Sequence, residues 1–263
     1  MKLRVALTIA GSDSGGGAGI QADLKTFAAL GVHGTSAVTA VTAQNTLGVT
    51  DILELPVSMI RAQVDAVASD LGVDAAKTGM LSSPAIIEAV VAAIEDHRIR
   101  LLVVDPVMVA KGGARLLREE AIDALRSRLL PLAAVITPNL PETEALLARP
   151  VRTLAEMRQA ARDLALLGPR AVVVKGGHSE GDATDVYWDG SDMVELTSPR
   201  FPTRNTHGSG CAFSAAIAAG LARGLDPLAA VREAKEFITD AIEFSLEIGH
   251  GHGPVNPMYR LRR

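Results

Sequence analysis

Cysteine is almost absent, with one residue in a chain of 263. A single thiol excludes an internal disulfide and a cysteine-built zinc site. Aromatic residues are scarce at 3%. The core must therefore be assembled from Ala, Val, Leu and Ile, which suits helices packed on a parallel sheet. An excess of positive charge is also missing. The formal net charge is −4, which argues against nucleic acid as a partner, because phosphate binding wants a basic face. No uninterrupted apolar run approaches the roughly 18 residues of a membrane span. The opening stretch MKLRVALTIAGSD reads as a first β-strand rather than a signal peptide. The cytoplasm is the expected location. Six histidines are present, but not at metal-ligand spacing, and His250 and His252 in the Gly-rich tail are not read as a zinc site.

What is present fits an ordinary globular protein, with 48% hydrophobic and 21% charged residues. Strand-like and helix-like segments alternate throughout. Strands are expected at 5–10, 36–41, 75–77, 101–104, 133–137 and 171–175, with a hairpin of 184–189 and 193–197 around Gly190-Ser191. Helices are expected at 21–30, 57–71 (capped near Ser58), 84–97, 119–130, 154–167, 210–223 and 227–246. The tail reads as irregular. Repeated strand–helix units predict an α/β fold, a mostly parallel sheet with helices on both faces. No linker or fixed-period repeat interrupts the chain, so residues 1–263 are taken as one domain. Ligands of such sheets gather at the carboxyl ends of the strands. Gly11-Ser12-Asp13, Gln44, Thr78-Gly79-Met80, Asp105-Pro106-Val107, Pro138-Asn139 and Gly176-Gly177 all fall there.

The most informative motif is Asn205-Thr206-His207-Gly208-Ser209-Gly210-Cys211, followed at once by a helical run of small residues. A Gly-rich turn opening a helix aims backbone N–H groups at one spot, and the helix dipole adds positive potential. Gly208, Ser209 and Gly210 would form an anion hole. Cys211, in the first turn, would have its thiolate favoured there. A lone cysteine in a helix is otherwise a small core residue, but a core filler has no need of that turn. An anion hole containing a base is what phosphoryl transfer to a hydroxyl requires.

The N-terminal loop Gly11-Ser-Asp-Ser-Gly-Gly-Gly-Ala-Gly19 fits neither the dinucleotide fingerprint nor a Walker A loop. Five glycines in nine residues suit a backbone that approaches a small ligand closely. Asp105 ends an apolar strand, and Glu142 follows another strand end. Together they could hold Mg²⁺ directly or through its waters. Asn139 and Glu142 also have the spacing of a capping box, and the two roles are compatible. Lys175 could meet nucleotide phosphates as a point charge or be a solvated strand end. Gln44 offers a paired donor and acceptor matching an aminopyrimidine edge, or is a turn residue. The residues alone leave both choices open.

Taken together, AGSDSGGGAGIQADLKTF, TAVTAQNT, AAKTGML, VVDPVM, TPNLPE, VVVKGGH, NTHGSGCAFSAAIAAGLA and GHGPVN span nearly the whole chain. They resemble the hydroxymethylpyrimidine/phosphomethylpyrimidine kinases of thiamin biosynthesis, within the ribokinase-like superfamily. The resemblance implies a three-layer ribokinase-like fold and use of ATP and Mg²⁺. It implies two successive phosphorylations of a small pyrimidine, and a homodimer. It puts Cys211 where sugar kinases of the superfamily carry a catalytic aspartate, and Asp105 and Glu142 near Mg²⁺ and the phosphates. Lys175, Asn139 and Glu142 fall on the nucleotide side. Gln44 resembles the residue that binds the pyrimidine edge, with Gly11, Asp23, Met80 and Val107 on the substrate side. Ser209 stands where threonine is common, and Ala212-Phe213 departs from the usual pair, but neither change removes a backbone donor. The alternatives are a related pyridoxal kinase and a non-catalytic pyrimidine sensor.

Overall fold

The computed structural model describes residues 3–109, 113, 116–177 and 182–262. His178 of the VVVKGGH segment lies outside them. The strands are β1 (Val5–Asp13), β2 (His33–Gln44), β3 (Val49–Glu54), β4 (Ala75–Thr78), β5 (Leu102–Val104), β6 (Val135–Ile136), β7 (Val172–Val174), β8 (Ala183–Trp188) and β9 (Met193–Ser198). They form a nine-stranded sheet in the order β3-β2-β1-β4-β5-β6-β7-β8-β9. The run from β2 to β7 is parallel. β3 closes one edge antiparallel, and the β8–β9 hairpin closes the other.

The helices are α1 (Gly19–Ala29), α2 (Val57–Asp70), α3 (Pro84–Asp96), α4 (Ala121–Ala124), α5 (Leu140–Leu147), α6 (Leu154–Ala165), α7 (Ser209–Ala222) and α8 (Pro227–Glu243). Alternate side chains along the strands enter two separate cores. Leu7, Ile9, Ala76, Leu102, Val104, Ile136 and Val172 meet residues of α2 to α6. Ala6, Ala75, Val103, Val135 and Val173 meet α1, α7 and α8. Short central strands such as β5 and β7 are apolar throughout because both faces are covered. Among the described residues, no helix is long and apolar enough to cross a membrane.

Several expectations needed correction. β3 was not anticipated; it is an edge strand in which Val49, Ile52 and Leu53 follow no strict alternation and no residue is fully buried. The short helix α5 was anticipated only as a capping box. The single helix expected at 119–130 is instead α4, a π turn (Leu125–Leu129) and a 3₁₀ turn (Leu130–Leu132). Pro131 lacks an N–H and cannot continue an α-helix, so the chain changes its winding as it approaches. Ser58 does not cap α2. Pro56 is the N-cap residue, and its carbonyl accepts from the amides of Met59 and Ile60, which leaves Ser58 inside the first turn.

α7 is buried along nearly its whole length, from Ala212 to Ala222. Its small side chains let it lie between the sheet, α1 and α8. At Gly220 an added Cβ would stand 2.9 Å from the Ala230 Cβ of α8 and 3.2 Å from its Cα. Gly220→Ala therefore has to push two packed helices apart. It is expected to destabilise the protein by about 1–3 kcal/mol, the usual cost of overpacking, despite alanine's better helix propensity. Urea unfolding of the two proteins checks this.

Candidate active site

The chain runs from β1 outward to β2 and then crosses back to β4 on the other side of β1, which creates a topological switch point beside β1. A cleft of about 820 Å³ opens there, outside the carboxyl ends of the parallel strands. Gly11 at the end of β1, Gln44 at the end of β2, Met80 after β4 and Val107 after β5 line one side. Asp105, Asn139, Glu142 and Lys175 line the other, and Gly208 to Cys211 form the wall between. Asp23 is the exception among the anticipated residues. It is fully buried behind the cleft, where its carboxylate binds Lys77 Nζ at 2.9 and 3.1 Å and accepts from Thr8 Oγ1 at 2.6 Å. Lys77, not Asp23, reaches the lining. Burial disfavours the Lys77 ammonium, but the charges of Asp23, Cys211 and Asp105, with the hydrogen bond to Asp23, together outweigh it and hold the pKa above the lysine range.

Gly208 adopts φ +77° as the N-cap of α7. An added Cβ would lie 1.7 Å from the Gly17 carbonyl oxygen, so only glycine lets the turn meet the N-terminal loop. The Ser209 amide donates to the Thr206 carbonyl at 3.2 Å, which removes it from the anticipated set of anion donors. The amides of Gly210 and Cys211 have no acceptor within the helix and face the cleft end of the dipole. Lys175 Nζ stands 3.3 Å from the position of a Cβ on Gly210, so its charge adjoins that first turn. It donates to Asp105 Oδ1 at 2.9 Å.

Asp105 is also held by Thr137 Oγ1 at 3.2 Å and by Ser214 Oγ of α7 at 3.2 Å. Burial works against its charge, but Lys175 and Lys77 prevail and keep the carboxyl below the ordinary range. Glu142 is different. Burial, reinforced by the Asp105 charge against the pull of Lys175, pushes it up to about 7. The capping box is present: Asn139 Oδ1 accepts from the Glu142 amide at 2.9 Å, and Glu142 Oε2 accepts from the Asn139 amide at 2.8 Å. The Asn139 side chain thus serves α5 while bordering the cleft.

The Cys211 thiol departs from expectation. The helix N-terminus was expected to lower its pKa. Burial instead pushes it up to about 11, opposed by Lys77 and assisted by the charges of Asp23 and Asp105. The sequence showed the dipole but not the two carboxylates beneath the sulfur. Three contributors went unassigned in the sequence: Lys77, His207 and Ser214. The position of His207 directly before the Gly-Ser-Gly turn was the one available signal.

Residues 13–256 match the phosphomethylpyrimidine kinase family. The chain belongs to that family. A hydroxymethylpyrimidine/phosphomethylpyrimidine kinase of Haemophilus influenzae is 52% identical over 255 residues, covering 95% of each chain. The thiamine biosynthesis bifunctional protein ThiED of Geobacter sulfurreducens is 52% identical over 252 residues. That match takes in 95% of this chain and 51% of the relative, so the chain spans about half the length of that bifunctional protein. Among solved structures, an ADP complex of Bacillus subtilis pyridoxal kinase superposes with a TM-score of 0.93 at 41% identity, over 100% of both chains.

Proposed function

We propose that this chain transfers the γ-phosphoryl group of ATP to the hydroxymethyl oxygen of 4-amino-5-hydroxymethyl-2-methylpyrimidine. A second transfer, to the resulting monophosphate, gives the pyrophosphate used in thiamin biosynthesis. The observation that carries this reading is the position of Cys211. It stands in the amide-lined first turn of α7, with Gln44 and Met80 to one side and Lys175 and Asp105 to the other. The acceptor and the phosphates can therefore meet at that turn.

The pyrimidine sits against Gly11, Met80 and Val107, with the Gln44 carboxamide on its amino group and adjacent ring nitrogen. As the hydroxymethyl oxygen bonds to the γ-phosphorus, the bond to the ADP oxygen breaks and the hydroxyl proton passes to Cys211 Sγ. The thiolate is a minor form at neutral pH, but its raised pKa makes it a strong base. The amides of Gly208, Gly210 and Cys211, together with Lys175, carry the charge on the transferring group. Asp105 and Glu142 are hard oxygen donors on the nucleotide side, close enough that each feels the other's charge. Such a pair fits Mg²⁺ that keeps several waters and phosphate oxygens. When bound there, Mg²⁺ would supply positive charge to offset that of the phosphates. The same reading takes residues 1–263 as one three-layer ribokinase-like domain, acting as a cytoplasmic homodimer. The two cores on opposite faces of one sheet support the layers.

ADP release with MgATP and three acceptors tests the assignment: hydroxymethylpyrimidine, its monophosphate and pyridoxal. Turnover of the first two, with little on pyridoxal, is the expected result. A pyridoxal kinase is the second reading, favoured by the likeness to the Bacillus subtilis enzyme. Preference for pyridoxal would establish it and withdraw the role given to Gln44.

A further inference from the structure

We propose that His207 is a positioning residue that holds the glycine-rich loop over the acceptor in register with the phosphate-binding turn. This rests on the reading that the Gln44 side of the cleft takes the acceptor. The imidazole Nε2 lies 2.9 Å from Asp13 Oδ2 and 3.5 Å from Gln44 Nε2. The same Asp13 carboxylate organises the loop: Oδ1 accepts from the Gly15 amide at 2.8 Å, and Oδ2 from Gly17 at 3.0 Å and Ala18 at 2.8 Å. A carboxylate that accepts from three backbone amides is ionised and can only accept. Nε2 therefore carries the proton. It cannot also accept from Gln44, whose amide nitrogen is left for the cleft.

The loop and the turn are already in contact at Gly17 and Gly208. Gly17 lacks the Cβ that would lie 2.5 Å from His207 Cδ2. The imidazole thus packs directly on the loop at Gly17 and ties it to the turn by a charge-assisted bond to Asp13. The backbone of His207 is fixed separately. Its amide donates to the Gly253 carbonyl at 3.1 Å, and its carbonyl accepts from the Val255 amide at 3.1 Å. Side-chain variants therefore change the link to Asp13 without releasing the turn. A loop freed from that link misplaces the acceptor relative to the γ-phosphate. An acceptor that must first order its own loop binds more weakly than one that meets a loop already in place.

The test compares His207→Ala, His207→Asn and His207→Gln with the wild type. Only glutamine places an amide N–H where Nε2 stood. Two readouts are taken: amide hydrogen exchange of Gly15, Gly17 and Ala18 in the ligand-free protein, and separate KM values for hydroxymethylpyrimidine and ATP. The Ala and Asn variants are expected to speed exchange of those amides and raise the pyrimidine KM, each by about tenfold or more, with the ATP KM changed by less than about threefold. The Gln variant is expected to restore most of both. Unchanged exchange in the Ala variant overturns the proposal. So does a Gln variant as impaired as the Ala variant at the wild-type Tm, or an equal rise in both KM values. Should the wild type use neither pyrimidine, the functional assignment fails, while the exchange readout still decides the role of His207.

Discussion

Cys211→Ala is expected to lower kcat on hydroxymethylpyrimidine by about 10²–10⁴, the range for loss of a general base, while turnover of the monophosphate falls by less than about tenfold. The two acceptors differ in one respect that matters to the thiol. The first is an alcohol whose proton must leave as oxygen attacks. The second is a phosphate monoester that is already an anion at neutral pH, its second pKa lying near about 6, and needs no base. The raised Cys211 pKa adds a pH signature. A group that must be deprotonated makes kcat/KM climb about tenfold per pH unit until its pKa is reached. With that pKa at about 11, the first transfer should still be rising at pH 9. The second should level off by about pH 8, once Glu142, pushed up to about 7, has ionised. Steady-state rates on both acceptors from pH 7 to 9 check both statements. Equal loss in both steps on removing the sulfur would instead make Cys211 part of the phosphate cradle.

Gly208→Ala is expected to do what Cys211→Ala does not, cutting both transfers together by about 10²–10³, the range for loss of oxyanion-type donors. A left-handed conformation costs an alanine about 1–2 kcal/mol, which is the smaller difficulty. The larger one is the Gly17 carbonyl, 1.7 Å from where the methyl must go. Either the turn tilts and the Gly210 and Cys211 amides lose their aim, or the glycine-rich loop is pushed off the acceptor. Both acceptors use the same amides and loop, so the ratio of the two rates should stay near the wild-type value. Parallel kinetics on the two substrates, with nucleotide binding measured by calorimetry, distinguish this pattern from that of Cys211→Ala. A variant that loses only the alcohol substrate would show that the turn does not hold the transferring group.

The central fold was legible because its strands are apolar and close on Gly, Asp or Asn, and its helices carry a 3.6-residue period. β3 and the winding around Pro131 escaped, since an exposed edge strand and a π turn depend on neighbours rather than on local pattern. At the site, Gly208, Gly210, Gln44, Lys175 and Asp105 could be placed because each ends a strand or opens a helix. Asp23 was misplaced for a different reason. It lies in a motif segment whose neighbours do line the cleft, but a helix turns successive residues to different faces, and this one faces inward to Lys77. The direction of the Cys211 shift was hidden for the same kind of reason. It depends first on how deeply the fold buries the sulfur, and then on the charges of Asp23 in α1 and Asp105 just after β5, more than a hundred residues away in the chain.

The depth at which α7 is set makes the end of the cleft proposed to hold the phosphates a fixed anvil. A helix enclosed by the sheet, α1 and α8 cannot tilt to follow a ligand without disturbing the core on that face. Whatever adjusts when substrates enter must belong to the loops that border the cleft. The cost of arraying the amides is therefore met during folding and does not recur in each catalytic cycle. Damage to the far end of α7, well away from the chemistry, should then be felt at the γ-phosphate.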